Sequence, residues 1–201
     1  MTSLGVPVVL VHGWGGSFAE TWQRSGVVDL LADAGRPVIG VDLLGHGEAP
    51  KPHDPAAYAD LTQRILEALP DGPVDAVGFS LGAMTLLELA CSQPGRLRRL
   101  VVAGVGANLF RRDDGQRERI LAGIEGTADA DDVAARVFAG YAHRPGQDPV
   151  ALAAVLKRPN GPGLTEERLA MVTCPVLVAI GDKDFAGPGD PLVEALPDAE
   201  L

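Results

Sequence analysis

A three-layer α/β/α sandwich around a mostly parallel sheet, with a small helical cap, is the fold this sequence predicts, and three observations predict it. Short, β-branched apolar runs recur at Val6–Val11, Pro37–Val41, Val74–Val77, Leu100–Val105 and Val176–Ile180. Runs this continuous suit strands buried on both faces, which is the situation in parallel sheets. Helical periodicity separates most of them, and strand–helix alternation calls for crossovers that cover both faces of one sheet. The third observation is an interruption. Between the fourth and fifth runs the chain carries helical patterns at Arg117–Ile124, Asp131–Tyr141 and Pro149–Leu156, joined by Gly and Pro with no strand among them. Such an insertion reads as a cap over the carboxyl edge of the sheet, where ligands bind in folds of this class. The expected division is therefore a core at 1–106 and 165–201 and a cap at 107–164.

In chain order, Val6–Val11 runs into the glycine-rich turn His12-Gly13-Trp14-Gly15-Gly16-Ser17. Helical pattern follows through Trp22 and Val27–Ala34, and Gly35 stops it. Pro37–Val41 ends in Asp42-Leu43-Leu44-Gly45-His46-Gly47, and a polar, proline-bearing loop follows. Ala56–Leu69 is expected as one helix, with apolar residues at Tyr58, Leu61, Ile65, Leu66 and Leu69 and Pro70 at its end. Val74–Val77 then leads into Gly78-Phe79-Ser80-Leu81-Gly82, a G-x-S-x-G, and the helical run Ala83–Cys91.

That strand–turn–helix setting gives the motif its chemistry. The sharp turn strains the middle serine and lifts the Ser80 hydroxyl to the carboxyl end of the strand, beside a helix N-terminus. Gly78 and Gly82 fit because strand and helix pass too close for side chains. The Leu81 N–H, at the head of the helix, is free to bind a developing oxyanion.

Bulk properties bound the alternatives. The chain of 201 residues suffices for one domain with a real core, and 46% apolar with 22% charged residues is ordinary for a globular protein. A net charge of −10 argues against nucleic-acid partners and anionic membrane surfaces. The first apolar run is strand length and lacks a basic flank, so neither a signal peptide nor a membrane span is expected. Cys91 and Cys174 are expected as buried free thiols, in keeping with a cytoplasmic location. The sequence contains no G-x-x-x-x-G-K-[ST], H-E-x-x-H or C-x-x-C, and no metal or cofactor is expected. Oligomeric state is not readable.

The motifs His12-Gly13-Trp14-Gly15, Asp42–Gly47, Gly78–Gly82 and, after the last apolar run, Gly181-Asp182-Lys183-Asp184 stand in a fixed order at strand ends. Together they resemble the α/β-hydrolase superfamily, in its capped branch of small esterases, non-haem peroxidase-like enzymes and carbon–carbon bond hydrolases. The resemblance implies that Ser80 is the nucleophile and that the backbone N–H groups of Trp14 and Leu81 form the oxyanion hole. It also implies that Asp184 is the triad acid, with Asp182 as the competing turn residue. Trp14 and Phe79 line the acyl pocket or serve in ordinary packing.

Two departures follow from the same resemblance. The family's N-terminal hairpin is not seen before Val6. Its general base is a histidine beyond one further strand after the acid, and no histidine follows His143. The expectation is a base beyond Leu201, a sheet of five strands, and an edge strand Val176–Ile180 without a neighbour. A 201-residue form without that last strand is accordingly expected to be less stable than a longer one. Among the four histidines present, His12 and His46 read as structural, His53 as solvated, and His143 as a cap residue that faces the cleft. The reading is a serine hydrolase of small carboxylic esters or related acyl compounds, inactive wherever that histidine is lacking. The alternatives are a non-catalytic binder on the same fold, or an enzyme of carbon–carbon cleavage or perhydrolysis.

Overall fold

The computed structural model describes residues 5–111, 115–129 and 131–201. Six strands form one parallel sheet: β1 Val8–Val11, β2 Val38–Val41, β3 Val74–Phe79, β4 Leu97–Ala103, β5 Val176–Ala179 and β6 Ala199–Glu200. Their order is β2-β1-β3-β4-β5-β6. The chain therefore builds leftward from β1 to β2 and then returns to build rightward from β3. The switch point lies between β1 and β3, and a crevice opens outside their carboxyl ends.

The expectation of five strands is corrected by β6. Ala199 and Glu200 pair with Val176 and Leu177, and the Val176 N–H donates to the Asp198 carbonyl at 2.9 Å. β5 is thus an inner strand, covered on its far side by two residues that follow Pro197, too short a run to carry a sequence pattern. Helices cover the sheet: α1 Val27–Asp33 and α2 Thr62–Ala68 lie against β2, α3 Leu81–Ser92 against β1, β3 and β4, and α8 Asp190–Ala195 against β6. α3 is the centre of the larger core, with Leu86, Leu87 and Leu89 fully buried against β3 and β4.

Two helices differ from expectation. The single helix over Ala56–Leu69 is a 3₁₀ turn at Pro55–Tyr58 followed by α2. Aspartates restart the chain twice. Asp54 caps the 3₁₀ turn through Ala56 N–H at 2.9 Å, and Asp60 accepts from both the N–H and the hydroxyl of Thr62, at 2.8 and 2.6 Å. The helical run after the first turn is likewise broken. A π-helical turn covers Ala19–Gln23, and Gly26, at φ 82°, resets the direction before α1.

One charge sits inside the sheet. Asp75, on β3, is buried and accepts hydrogen bonds from Arg36 at 2.5 Å and from Arg98 at 2.8 and 2.7 Å. Burial opposes its ionisation, but the two guanidiniums outweigh burial and hold the carboxyl below its usual range.

Between β4 and β5 the chain forms a 3₁₀ turn at Ala107–Phe110 and then α4 Gln116–Ile124, α5 Val133–Ala142, α6 Pro149–Leu156 and α7 Glu166–Leu169. The expected insertion at 107–164 includes residues 112–114 and 130, which lie outside the described residues. α4 and α6 meet in a small apolar cluster of Ile120, Ile124, Leu152 and Ala153, against which Trp14 and Phe138 pack. No helix among the described residues is long and apolar enough to cross a membrane. Cys91 and Cys174 are buried free thiols, and burial pushes both upward from the usual thiol range.

Candidate active site

β3 turns into α3 at Ser80, whose φ of 49° and ψ of −112° make it the only non-glycine with positive φ among the described residues. Such a conformation costs on the order of 1–3 kcal/mol and persists only where surroundings over-determine it. Here they do. The Ser80 N–H donates to Ala103 O at 2.8 Å on β4, and its carbonyl accepts from Met84 N–H at 3.0 Å in the first turn of α3. A Cβ at position 78 would lie 2.6 Å from Ala83 backbone, and one at position 82 would lie 2.5 Å from the carbonyl oxygens of Val11 and His12. Strand, helix and neighbouring turn therefore touch through bare backbone, and Ser80 is held half-buried at the crevice. Leu81 opens α3, so its N–H belongs to the set of donors that no preceding helical turn can satisfy.

The turn after β1 lies against the nucleophile candidate. A Cβ at Gly13 would stand 3.3 Å from the Ser80 Cβ and 2.9 Å from the Phe79 ring. His12, fully buried, shapes this turn. The Leu43 N–H donates to its Nε2 at 3.1 Å, so the proton sits on Nδ1, which donates to Gly13 O at 2.8 Å. Burial lowers the His12 pKa, and with both ring nitrogens engaged it has no proton to exchange with Ser80. Asp42 is the turn former, accepting from Phe18 N–H at 2.6 Å and Glu48 N–H at 2.8 Å.

Above the turn is a cleft of about 290 Å³. Ser80, Phe79, Trp14 and Asp184 line it, as does a stretch of three aromatics from outside the core motifs: Phe138, Tyr141 and Phe185. Trp14 and Phe138 stack tilted at 5.5 Å between centroids, and Phe138 meets Phe185 edge-on at 6.4 Å. Arg144 lies over the Tyr141 ring at 4.1 Å and adds a cation to the same cleft. The helices after β4 are tied to the turn by two polar contacts. Trp14 Nε1–H donates to Leu152 O at 3.1 Å, and Gln147 Nε2 donates to Gly15 O at 3.0 Å. Phe185, Gln147 and Arg144 were outside the sequence-based candidates; for Phe185 the signal available was its position next to Asp184.

Of the two aspartates after β5, Asp184 lines the cleft and Asp182 is exposed away from it. One Asp184 oxygen accepts from Ala186 N–H at 2.9 Å, which orients the carboxylate and leaves the other oxygen unengaged by that bond.

The other histidines stand elsewhere. His46 is buried beside His12, at 5.0 Å between rings, with Nδ1 bonded to Leu44 O at 3.0 Å and Nε2 without a partner. Burial and the neighbouring His12 push its pKa down to about 3. His53 is exposed yet paired with Asp148 at 2.9 Å, which also caps α6. The expectation that His143 faces the cleft is corrected: its Nε2 donates to Ile124 O at 3.0 Å, and it lines a different cavity with His53. The reason is that His143 closes α5 on the side turned to α4, whereas Phe138 and Tyr141 occupy the cleft side. Among the described residues no group of three or more His, Cys, Asp or Glu side chains converges.

The profile of the α/β hydrolase fold family matches residues 6–137. The chain belongs to the α/β hydrolase fold family. Its curated relatives include hydrolases of different bonds. The pimeloyl-(acyl-carrier protein) methyl ester esterase of Neisseria meningitidis serogroup B is 39% identical over 111 residues, covering 53% of this chain and 39% of the relative. The 2-hydroxy-6-oxo-2,4-heptadienoate hydrolase of Pseudomonas putida is 36% identical over 115 residues, covering 55% of this chain and 41% of the relative. The chain thus spans about two fifths of the length of these two relatives. Among solved structures, the enol-lactonase from Burkholderia xenovorans LB400 superposes with a TM-score of 0.74 at 21% identity, covering 100% of this chain and 83% of that one. At that identity the likeness is one of α/β hydrolase fold alone.

Proposed function

We propose that this α/β hydrolase is a serine hydrolase that cleaves a small carboxylic ester or related acyl compound through an acyl-enzyme on Ser80. The observation that carries the reading is the strained Ser80 backbone at the sheet's switch point, beside a cleft that also holds Asp184. A serine held at such a cost, open to an apolar cleft and next to a helix head, has the setting of a nucleophile rather than of a packing residue. The ester bond named in the Neisseria relative supports the substrate class.

In the proposed reaction, Ser80 Oγ attacks the ester carbonyl carbon and its proton passes to an imidazole. The oxyanion forms against the backbone N–H groups of Leu81 and Trp14, each contributing about 3 kcal/mol of transition-state stabilisation. The imidazolium protonates the departing alcohol, which leaves an acyl-Ser80. The same imidazole then takes a proton from water, whose oxygen attacks the acyl carbon; the bond to Ser80 Oγ breaks, Oγ takes the proton back from the imidazolium, and the acid leaves. Asp184 holds the imidazole's tautomer and stabilises its charged form. His12 and His46 are locked beneath the turn, and His53 and His143 face another cavity. The imidazole in this proposal is therefore none of these four. The helical segment at 107–164 serves as a cap over the cleft. The reaction as drawn uses no metal or cofactor, and the two buried thiols suit a cytoplasmic enzyme.

A second reading, a ligand binder that keeps the cleft without turnover, is favoured by the same distribution of histidines. Hydrolysis of short p-nitrophenyl esters by the full-length protein separates the two. Turnover that falls by about 10³-fold or more in Ser80→Ala supports the hydrolase. Turnover untouched by Ser80→Ala overturns the mechanism, and saturable ester binding without turnover establishes the binder.

A further inference from the structure

We propose that the cavity enclosed by α2, α3, α4, α7 and the loop after α6 is a second ligand site, one that takes a small oxyanion of the phosphate or phosphomonoester kind. This cavity, about 440 Å³, shares no lining residue with the Ser80 cleft among the described residues.

The first observation is charge. In a chain of net charge −10, three guanidiniums converge on this one cavity from three separate elements: Arg117 on α4, Arg158 after α6 and Arg168 on α7. Two carboxylates line it as well. Asp60 is spent on capping, since it accepts from the N–H and hydroxyl of Thr62. Glu88 is the remaining one.

The second observation is how little Arg158, Arg168 and Glu88 satisfy one another. Arg158 is half-buried, and among the described residues it makes one hydrogen bond, from Nη1 to Val155 O at 2.9 Å, out of five N–H donors a guanidinium carries. Arg168 bonds the Gly163 carbonyl. Glu88, half-buried on α3, faces both arginines electrostatically yet forms an ion pair with neither. Burial raises the Glu88 pKa and lowers that of Arg158, as expected for charges short of partners. Folding that simply closed this junction would bring Glu88 onto Arg158. The two instead stay apart with a cavity between them.

An oxyanion completes this arrangement. Two planar forks presented to one space match the bidentate geometry of phosphate oxygens, and the partly desolvated setting strengthens charge-assisted bonds. Glu88 is the one carboxylate left to oppose the anion, and its replacement by an amide removes that opposition. The walls are preformed, because the loop Pro159-Asn160-Gly161-Pro162-Gly163 has two prolines and Asn160 accepts from Arg117 at 3.3 Å. The cavity exceeds a lone phosphate in size, which leaves room for a short esterified chain.

Isothermal titration of the full-length protein at constant ionic strength tests this, with inorganic phosphate and glycerol 3-phosphate as probes and chloride as control. The expected result is one saturable site for phosphate, with no counterpart for chloride. Affinity falls about tenfold in Arg158→Ala and in Arg168→Gln, rises in Glu88→Gln, and is unchanged in Ser80→Ala. Two arginine variants on separate elements keep the test independent of misfolding in either one, and circular dichroism checks each. Tighter binding of glycerol 3-phosphate than of phosphate identifies an esterified ligand, and the reverse identifies the free ion. Absence of saturable binding up to about 10 mM, binding in both arginine variants as tight as in the parent, or weaker binding in Glu88→Gln overturns the proposal.

Discussion

Gly82→Ala probes the packing on which the elbow depends. The new methyl would stand 2.5 Å from the carbonyl oxygens of Val11 and His12 and 2.7 Å from the Val11 carbonyl carbon, against ordinary contact at 3.4 Å or more. The shortfall is about 0.9 Å, and all three atoms are backbone. No rotamer change relieves it, because β1 is fixed in register between β2 and β3. The head of α3 must lift away from the His12 turn, carrying Leu81 N–H and Ser80 from Gly13. Overpacking of this kind costs about 1–3 kcal/mol. A shift close to 1 Å between nucleophile and oxyanion donors costs about 10²-fold in rate. Urea denaturation measures the first and ester hydrolysis by the full-length protein the second. A variant with the parent's urea midpoint and the parent's rate would refute the close-contact account of the elbow.

Gly140→Ala should act in the opposite direction. Position 140 is an exposed interior site of α5, and a Cβ there meets nothing within 4 Å, so thermal unfolding should shift upward by about 0.5–1 kcal/mol of stability. Acidification should destabilise the fold well above the carboxylate range. His12 and His46 stay neutral in the native state while the histidines of the unfolded chain take up protons below their ordinary pKa of 6.5. The unfolded state then binds more protons, so stability is full above pH 6.5 and declines as pH falls, for His46 down to about 3. From pH 7 to 5.5 His46 alone accounts for a loss of about 1.3 kcal/mol, and His12 adds to it in the same direction. Urea midpoints at the two pH values measure it, and equal midpoints would contradict the buried neutral state.

Much of the core was legible because its signals are local. Each of the five apolar runs is a strand, with ends shifted by up to three residues, but the expected burial on both faces holds along the whole of β1 only, while β5 alternates buried and exposed residues and β2 is buried only at Val41. The strain at Ser80 and the bare contacts at Gly78 and Gly82 were legible because one short turn imposes them. What escaped depends on meetings distant in sequence. β6 is two residues whose only warrant is pairing with β5. The two aspartate restarts around Pro55–Tyr58 were hidden beneath an apolar pattern that fits one helix equally well. His143 carried the right chemistry for the cleft, but which face of α5 turns inward is set by packing against α4, and that faced it to Ile124. Arg144 and Gln147 reach the cleft and its turn only through the fold.

The most direct test of the central claim is the intact mass of the full-length protein after reaction with a fluorophosphonate, beside Ser80→Ala. The account predicts one phosphonyl adduct per chain, mapped by peptide sequencing to Ser80, and none in the variant. No adduct on the parent protein, or an adduct that persists in Ser80→Ala, would contradict it.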